Sequence, residues 1–149
     1  MLVTPHFLAG AVVATVMPQF WPAAISVLVL HYIMDAIPHT DTIGGTHLNA
    51  PNVILRSADV VVALGLFFVL VKPALWFYGF VIASIGMLPD ILEVPRLFWP
   101  KLKKLPLFGR LSYWHTQKLQ YDWPRLGWFW GIVPQAILLA GVIYFLLTR

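Results

Sequence analysis

The sequence predicts an all-α integral membrane bundle of about five short transmembrane or membrane-embedded helices, forming a single domain over residues 1–149. Composition is the first reason. Of the 149 residues, 60% are hydrophobic and only 11% are charged, and mean hydropathy is +0.80, more apolar surface than a soluble core of this size can bury. The second reason is distribution, since the apolar residues fall in runs of helical length divided by Pro, Gly and polar residues. The third is charge. Arg96, Lys101, Lys103, Lys104, Arg110, Lys118 and Arg125 lie in one stretch between two apolar runs. That clustering follows the positive-inside rule, so the formal net charge of +4 is not read as a nucleic-acid surface.

The first helix is expected from about Pro5 to Met17, with Thr4 as N-cap and Pro5 as the first helical residue. The second runs from Pro22 to about Ile37 and the third from near Ser57 to near Val71. Pro73 opens the fourth, which ends near Leu92, and the fifth runs from about Pro124 to Leu147. At ~1.5 Å per residue the first three cover only about 20–25 Å, short of the ~30 Å hydrocarbon core. Their polar ends are then expected near the membrane surface, within reach of water and headgroups. Gly44, Gly45, Asn49 and Pro51 mark the loop from Thr40 to Arg56 as turns. From Pro95 to Gln120, Lys and Arg mix with Leu, Phe and Trp, which suits an anionic membrane surface. Met1 to His6 lack a basic n-region and no small-residue cleavage site follows, so a removable signal peptide is not expected.

The basic stretch places the Arg96–Arg125 loop, and with it the N-terminus, in the cytoplasm of a multi-pass cell-membrane protein. Threading the helices from there brings the start of helix one, the end of helix two, the start of helix three, the end of helix four and the start of helix five to one side. His6, His31, His39 and His115, four of the five histidines, gather there with Asp35, Asp41, Asp59, Asp90 and Glu93, five of the six acids. The absence of cysteine removes thiolate ligands and Cys nucleophiles and leaves His and carboxylate as the strong metal ligands. No Ser nucleophile motif, P-loop or dinucleotide fingerprint is present.

His31 and Asp35 are the strongest pair. Four residues is just over one helical turn, so imidazole and carboxylate project from one face of helix two. An ionisable residue at membrane depth is costly and marks a functional site; the plainer alternative is a buried hydrogen-bonded pair joining helices. His39 and Asp41 follow Pro38, and His39 equally suits a dipole partner at the helix C-terminus. Asp90 interrupts an apolar stretch and reads as a ligand or base. His6 and His115 read as further ligands, against headgroup-facing and interfacial-belt alternatives. The expected metal set is therefore His6, His31, Asp35, His39, Asp90 and His115. The ion is divalent, zinc by preference because nitrogen and oxygen ligands mix, with manganese or magnesium as alternatives. Asp59 and Asp41 are expected as general base or as orienter of a His ligand, although Asp in a first helical turn also suits the helix dipole. His47 reads as a solvated loop residue, Glu93 as a helix-end charge and Asp122 as a cap. Arg110, Lys104 and Lys118 read as anchors to anionic lipid.

Thr4-Pro5-His6, His31-x-x-x-Asp35 with Pro38-His39, Leu88-Pro89-Asp90 and Trp114-His115-Thr116 together resemble the predicted membrane-bound metal-dependent hydrolases. That bacterial and archaeal family has short helices and scattered His/Asp motifs and is itself compared with zinc-dependent phospholipase C. The resemblance implies a metal-dependent hydrolase of a phosphoester or lipid headgroup at the cytoplasmic membrane face, with water activated by the ion as nucleophile. Its partners would be membrane lipid and a small-molecule or lipid phosphoester, with no nucleic acid. The chain departs from the family at Pro89-Asp90-Ile91-Leu92-Glu93, which keeps only the first acid of Pro-Asp-x-Asp-His, and in carrying its His-x-x-x-Asp helix early. Two non-enzymatic readings stand beside it. One is a metal-binding or proton-relay site in a small transporter or complex subunit; the almost purely apolar outer halves of the helices weigh against transport. The other is a structural or partner-binding protein whose polar cluster is a hydrogen-bond network without metal.

Overall fold

The computed structural model describes residues 1–40, 50–92, 101, 105, 109–110, 113–115 and 127–149. Asp41, His47, Glu93, Lys104, Lys118 and Asp122 lie outside the described residues. The regular elements described are all helical: α1 (Val3–Val16), α2 (Phe20–Asp35), α3 (Ala50–Leu70), a 3₁₀ turn (Pro73–Leu75) leading into α4 (Trp76–Gly86), and α5 (Gly127–Thr148). Residues 88–92 are helical again after a turn at Met87.

Helix identity follows the apolar runs, and the boundaries move for local reasons. α1 begins at Val3, so Thr4 lies inside the helix and Leu2 is the N-cap, without a side-chain cap bond. Pro5 still stands in the first turn, where a missing N–H removes no intrahelical bond. α3 starts at Ala50, earlier than the Ser57 expected from the turn residues around it. Pro51 is the reason, since proline opens a helix as readily as it marks a turn. The longer α3 has 21 residues, about 31 Å at ~1.5 Å each, which corrects the expectation that it falls short of the hydrocarbon core. It also moves Asp59 from a first turn into the helix interior. The single fourth helix divides instead into α4 and residues 88–92 around Leu88-Pro89, where the ring cannot continue the α4 ladder; Ile91 N donates to Met87 O at 2.9 Å across the new turn.

α1 is the centre of the packing, in contact with α2, α3, α4 and α5. Residues 4–11, 13 and 14 of it are buried. On one side Phe7, Leu8 and Ala11 meet Ala63, Phe67 and Val71 of the α3 region and Ala83 and Met87 of the α4 region. On another, Val13 and Ala14 meet Ala23, Ala24 and Val27 of α2 and Ile82 of α4. Small residues set the spacing. A Cβ on Gly10 would stand 2.7 Å from Ala83 Cα, and one on Gly86 would stand 2.5 Å from Val27 Cγ2.

The outside of the molecule is apolar as well. α3 and the Phe129–Thr148 part of α5 are long and apolar enough to cross a membrane, and only 11% and 17% of their apolar windows are buried within the protein. Val61 and Val69 on α3, and Ile137 and Tyr144 on α5, are each at least 70% exposed. A helix at the core of a soluble domain would hide such residues. α1, α2 and the Pro73–Gly86 segment are apolar but shorter, and α1 is enclosed by the others.

Gly10→Ala is expected to force α1 and α4 apart and to cost about 1–3 kcal/mol, the usual penalty of overpacking. Thermal unfolding of the detergent-solubilised protein, followed by far-UV circular dichroism, measures it. Gly141→Ala meets nothing within 4 Å, and the same measurement should find it neutral or stabilising.

Candidate metal centre

Asp35 closes α2 and has no exposed surface. A carboxylate there is tolerable only if donors satisfy it, and donors reach both of its oxygens. Oδ2 is met by His31 Nε2 at 3.2 Å, one turn earlier on the same helix, and by His115 Nε2 at 2.8 Å. Those two nitrogens stand 3.3 Å from each other. Asp90 Oδ1, carried by the turn that follows α4, lies 3.8 Å from His31 Nε2 and 3.7 Å from His115 Nε2. The ligand atoms of His31, Asp35, Asp90 and His115 all lie within 4.8 Å of one another.

This group could hold a metal ion, and its spacing can be compared with what an ion requires. Donors ~2.0–2.1 Å from a tetrahedral ion stand about 3.3 Å apart. The triangle of His31 Nε2, His115 Nε2 and Asp35 Oδ2 has edges of 3.3, 2.8 and 3.2 Å, close to that value, and Asp90 supplies a looser fourth vertex. Two imidazole nitrogens and two carboxylate oxygens also form a donor set for which a borderline divalent ion is suited. Of the four, Asp90 alone is more than marginally accessible, with 24% of its side chain exposed. Tyr32 packs its ring edge-on against His31, His115 and Trp114.

The other face of Asp35 has a different set of contacts. Oδ1 is met by His6 Nε2 at 2.9 Å and accepts from the Met1 nitrogen at 3.2 Å. His39 Nδ1 donates to Ile37 O at 2.7 Å, which leaves Nε2 as the acceptor facing the Met1 nitrogen at 2.6 Å. Four of the six residues expected as ligands thus share one point. His6 stands behind it on the far oxygen of Asp35, and the Met1 nitrogen links His39 to that same oxygen. Asp59 is elsewhere: it accepts from the backbone nitrogens of Val3 and Thr4 and from Thr4 Oγ1 at 2.6 Å. It therefore caps the first turn of α1, where orphan N–H groups and the positive end of the dipole favour a carboxylate. Asp41, the second residue expected in an acid–base role, lies outside the described residues.

Gln135 escaped the sequence reading. Buried on α5, it accepts from Leu2 N at 2.9 Å and donates to Thr40 O at 2.8 Å and Gly131 O at 2.9 Å. It ties α5 to both chain segments that carry the His6–Asp35–His39 side. The available signal was a lone amide within an apolar helix. One further feature bears on the chemistry: Nδ1 of His6, His31 and His115 is buried in each case and has no hydrogen-bond partner among the described residues.

No protein family, curated protein or solved structure matches this chain.

Asp59→Ala would leave the Val3 and Thr4 nitrogens and the Thr4 hydroxyl without their acceptor. The expected cost is about 1–3 kcal/mol, read from thermal unfolding, with metal content of the purified protein unchanged. Loss of metal without loss of stability would instead place Asp59 in the centre.

Proposed function

We propose that this chain is a multi-pass membrane protein whose His31–Asp35–Asp90–His115 centre binds one divalent ion, zinc by preference, and hydrolyses a phosphoester at the membrane surface. The observation that carries this reading is the convergence of four ligand-type atoms from three separate chain segments, α2, the Leu88–Leu92 turn and Tyr113–His115, within 4.8 Å. Buried convergence of this kind in so apolar a protein is expensive unless it serves a site. The basic stretch from Arg96 to Arg125 favours a cytoplasmic location for the centre.

In this reading His31 and His115 bind through Nε2 and Asp35 through Oδ2, on the closed side of the site. Asp90 binds on the accessible side, where substrate arrives, and is the carboxylate best placed to take a proton from attacking water. When bound, the ion supplies Lewis acidity to the phosphoester and to water. Tyr32 and the enclosing helices limit solvent on the remaining sides. Asp59 is assigned to capping α1, not to acid–base work.

A second reading has a specific observation in its favour. With Nε2–H tautomers, His6, His31 and His115 donate to Asp35 alongside the Met1 nitrogen, and four donors fill the lone-pair positions of one carboxylate. Their unpartnered Nδ1 atoms are then bare lone pairs. Ligation through Nε2 shifts the His31 and His115 protons to Nδ1, leaving two buried N–H groups without an acceptor among the described residues, whereas metal-bound histidines usually donate that proton to an outer partner. On this view the cluster is a helix-joining hydrogen-bond network.

Metal analysis separates the two. Plasma mass spectrometry of the detergent-purified protein is expected to find about one divalent ion per chain, lost in Asp35→Ala, and the loaded protein should then hydrolyse members of a phosphoester panel. Absence of metal in both proteins after incubation with zinc or manganese would overturn the hydrolase reading. The network reading predicts that absence, together with a loss of about 3–5 kcal/mol in His31→Ala from breaking a buried pair.

A further inference from the structure

We infer that His6 is a positioning residue for the metal centre, not one of its ligands: it fixes the carboxylate of Asp35 and the ring of His31 so that both aim at the same point. The inference rests on the metal-centre reading above and adds a role that the centre itself does not supply.

Three contacts carry it. His6 Nε2 lies 2.9 Å from Asp35 Oδ1, the oxygen that His31 and His115 do not use. Its ring lies on that of His31, with centroids 4.3 Å apart and planes inclined by only 25°. It stands on the buried face of α1 beside Phe7 and Leu8, both in the principal core, so its backbone has a rigid seat. Each contact limits a torsion that is otherwise soft. The χ2 rotation of an aspartate is broad and roughly two-fold, and a donor held on Oδ1 selects the orientation that turns Oδ2 to the centre. A stacked ring does the same for the imidazole plane of His31. One side chain thereby orients two of the four donors, from a helix that contributes none of them. His6 Nε2 is occupied in this way and is not among the four atoms that converge.

The test uses the full chain in detergent with cobalt(II) as the probe, comparing wild type, His6→Gln and His6→Leu. A glutamine amide can place an N–H near the position of imidazole Nε2, whereas leucine fills the space without a donor. Outer partners of metal ligands are typically worth 10–100-fold in affinity. His6→Leu should therefore bind cobalt about 10–100-fold more weakly, His6→Gln should stay within about 3-fold of wild type, and both should keep the wild-type d–d absorption spectrum. An altered spectrum with lost affinity in His6→Gln would make His6 a ligand and overturn the inference, as would wild-type affinity in His6→Leu. If His6→Leu does not fold, His6→Asn, whose shorter amide does not reach Asp35 Oδ1, takes its place: weakened cobalt affinity with the wild-type spectrum supports the role, and wild-type affinity overturns it. Failure of the wild-type chain to bind cobalt would overturn the metal-centre reading and this inference together, an outcome distinct from the others.

Discussion

A carboxylate without exposed surface has to be satisfied by the protein around it, and much of the organisation of this molecule can be traced to that requirement at Asp35. Its own helix supplies His31, but one imidazole cannot occupy two carboxylate oxygens. Further partners come from Met1 and His6 at the start of the chain and from His115, 80 residues away. Because an uncompensated buried charge costs several kcal/mol, helix arrangements that separate these groups are excluded far more strongly than any packing preference of leucine or valine would exclude them. Asp35 therefore specifies which helix ends must come together.

Apolar packing then determines how closely they do so. α1 is only 14 residues long, yet it touches α2, α3, α4 and α5, and Gly10 permits the close approach of α4. Polar pins hold its starting end: Asp59 takes the first-turn nitrogens, and Gln135 takes Leu2 while bridging to Thr40. The exposed flanks of α3 and α5 offer lipid-compatible surface instead. The described polar network is thus concentrated at one end of the central helix, and the outer surface carries the hydrophobic excess seen in the composition.

The donors around Asp35 suit two occupants. Protons on the imidazole Nε2 atoms would make a hydrogen-bond network around Asp35; a divalent ion, if bound, would replace those on His31 and His115. The two states share almost the same heavy-atom positions, because N–H···O distances and the ligand–ligand distances of a tetrahedral ion both fall near 3 Å. This overlap explains how a single compact cluster supports a catalytic and a structural reading. The separation between them lies in the proton inventory at Nδ1, not in the positions of the ligand atoms.

Much of the architecture was legible in the chain itself. Apolar runs located the helices, and the i, i+4 spacing of His31 and Asp35 placed both on one face, since each depends only on the regular geometry of a single helix. Threading those helices also gathered the histidines and acids at one end. Local boundaries were less legible: Pro51 opens α3 although it resembles a turn residue, and Pro89 divides the fourth segment. The sequence alone determined that the apolar runs are helical and that His31 and Asp35 share one helix face, and it named His31, Asp35, Asp90 and His115 among its candidate ligands. Only the tertiary structure decided that His115 and Asp90 share a point with His31 and Asp35, that His6 stands behind that point, and that Asp59 caps α1. Periodicity reports direction within one element, whereas meetings between elements depend on helix crossings set by glycine contacts and buried polar pairs far apart in the chain.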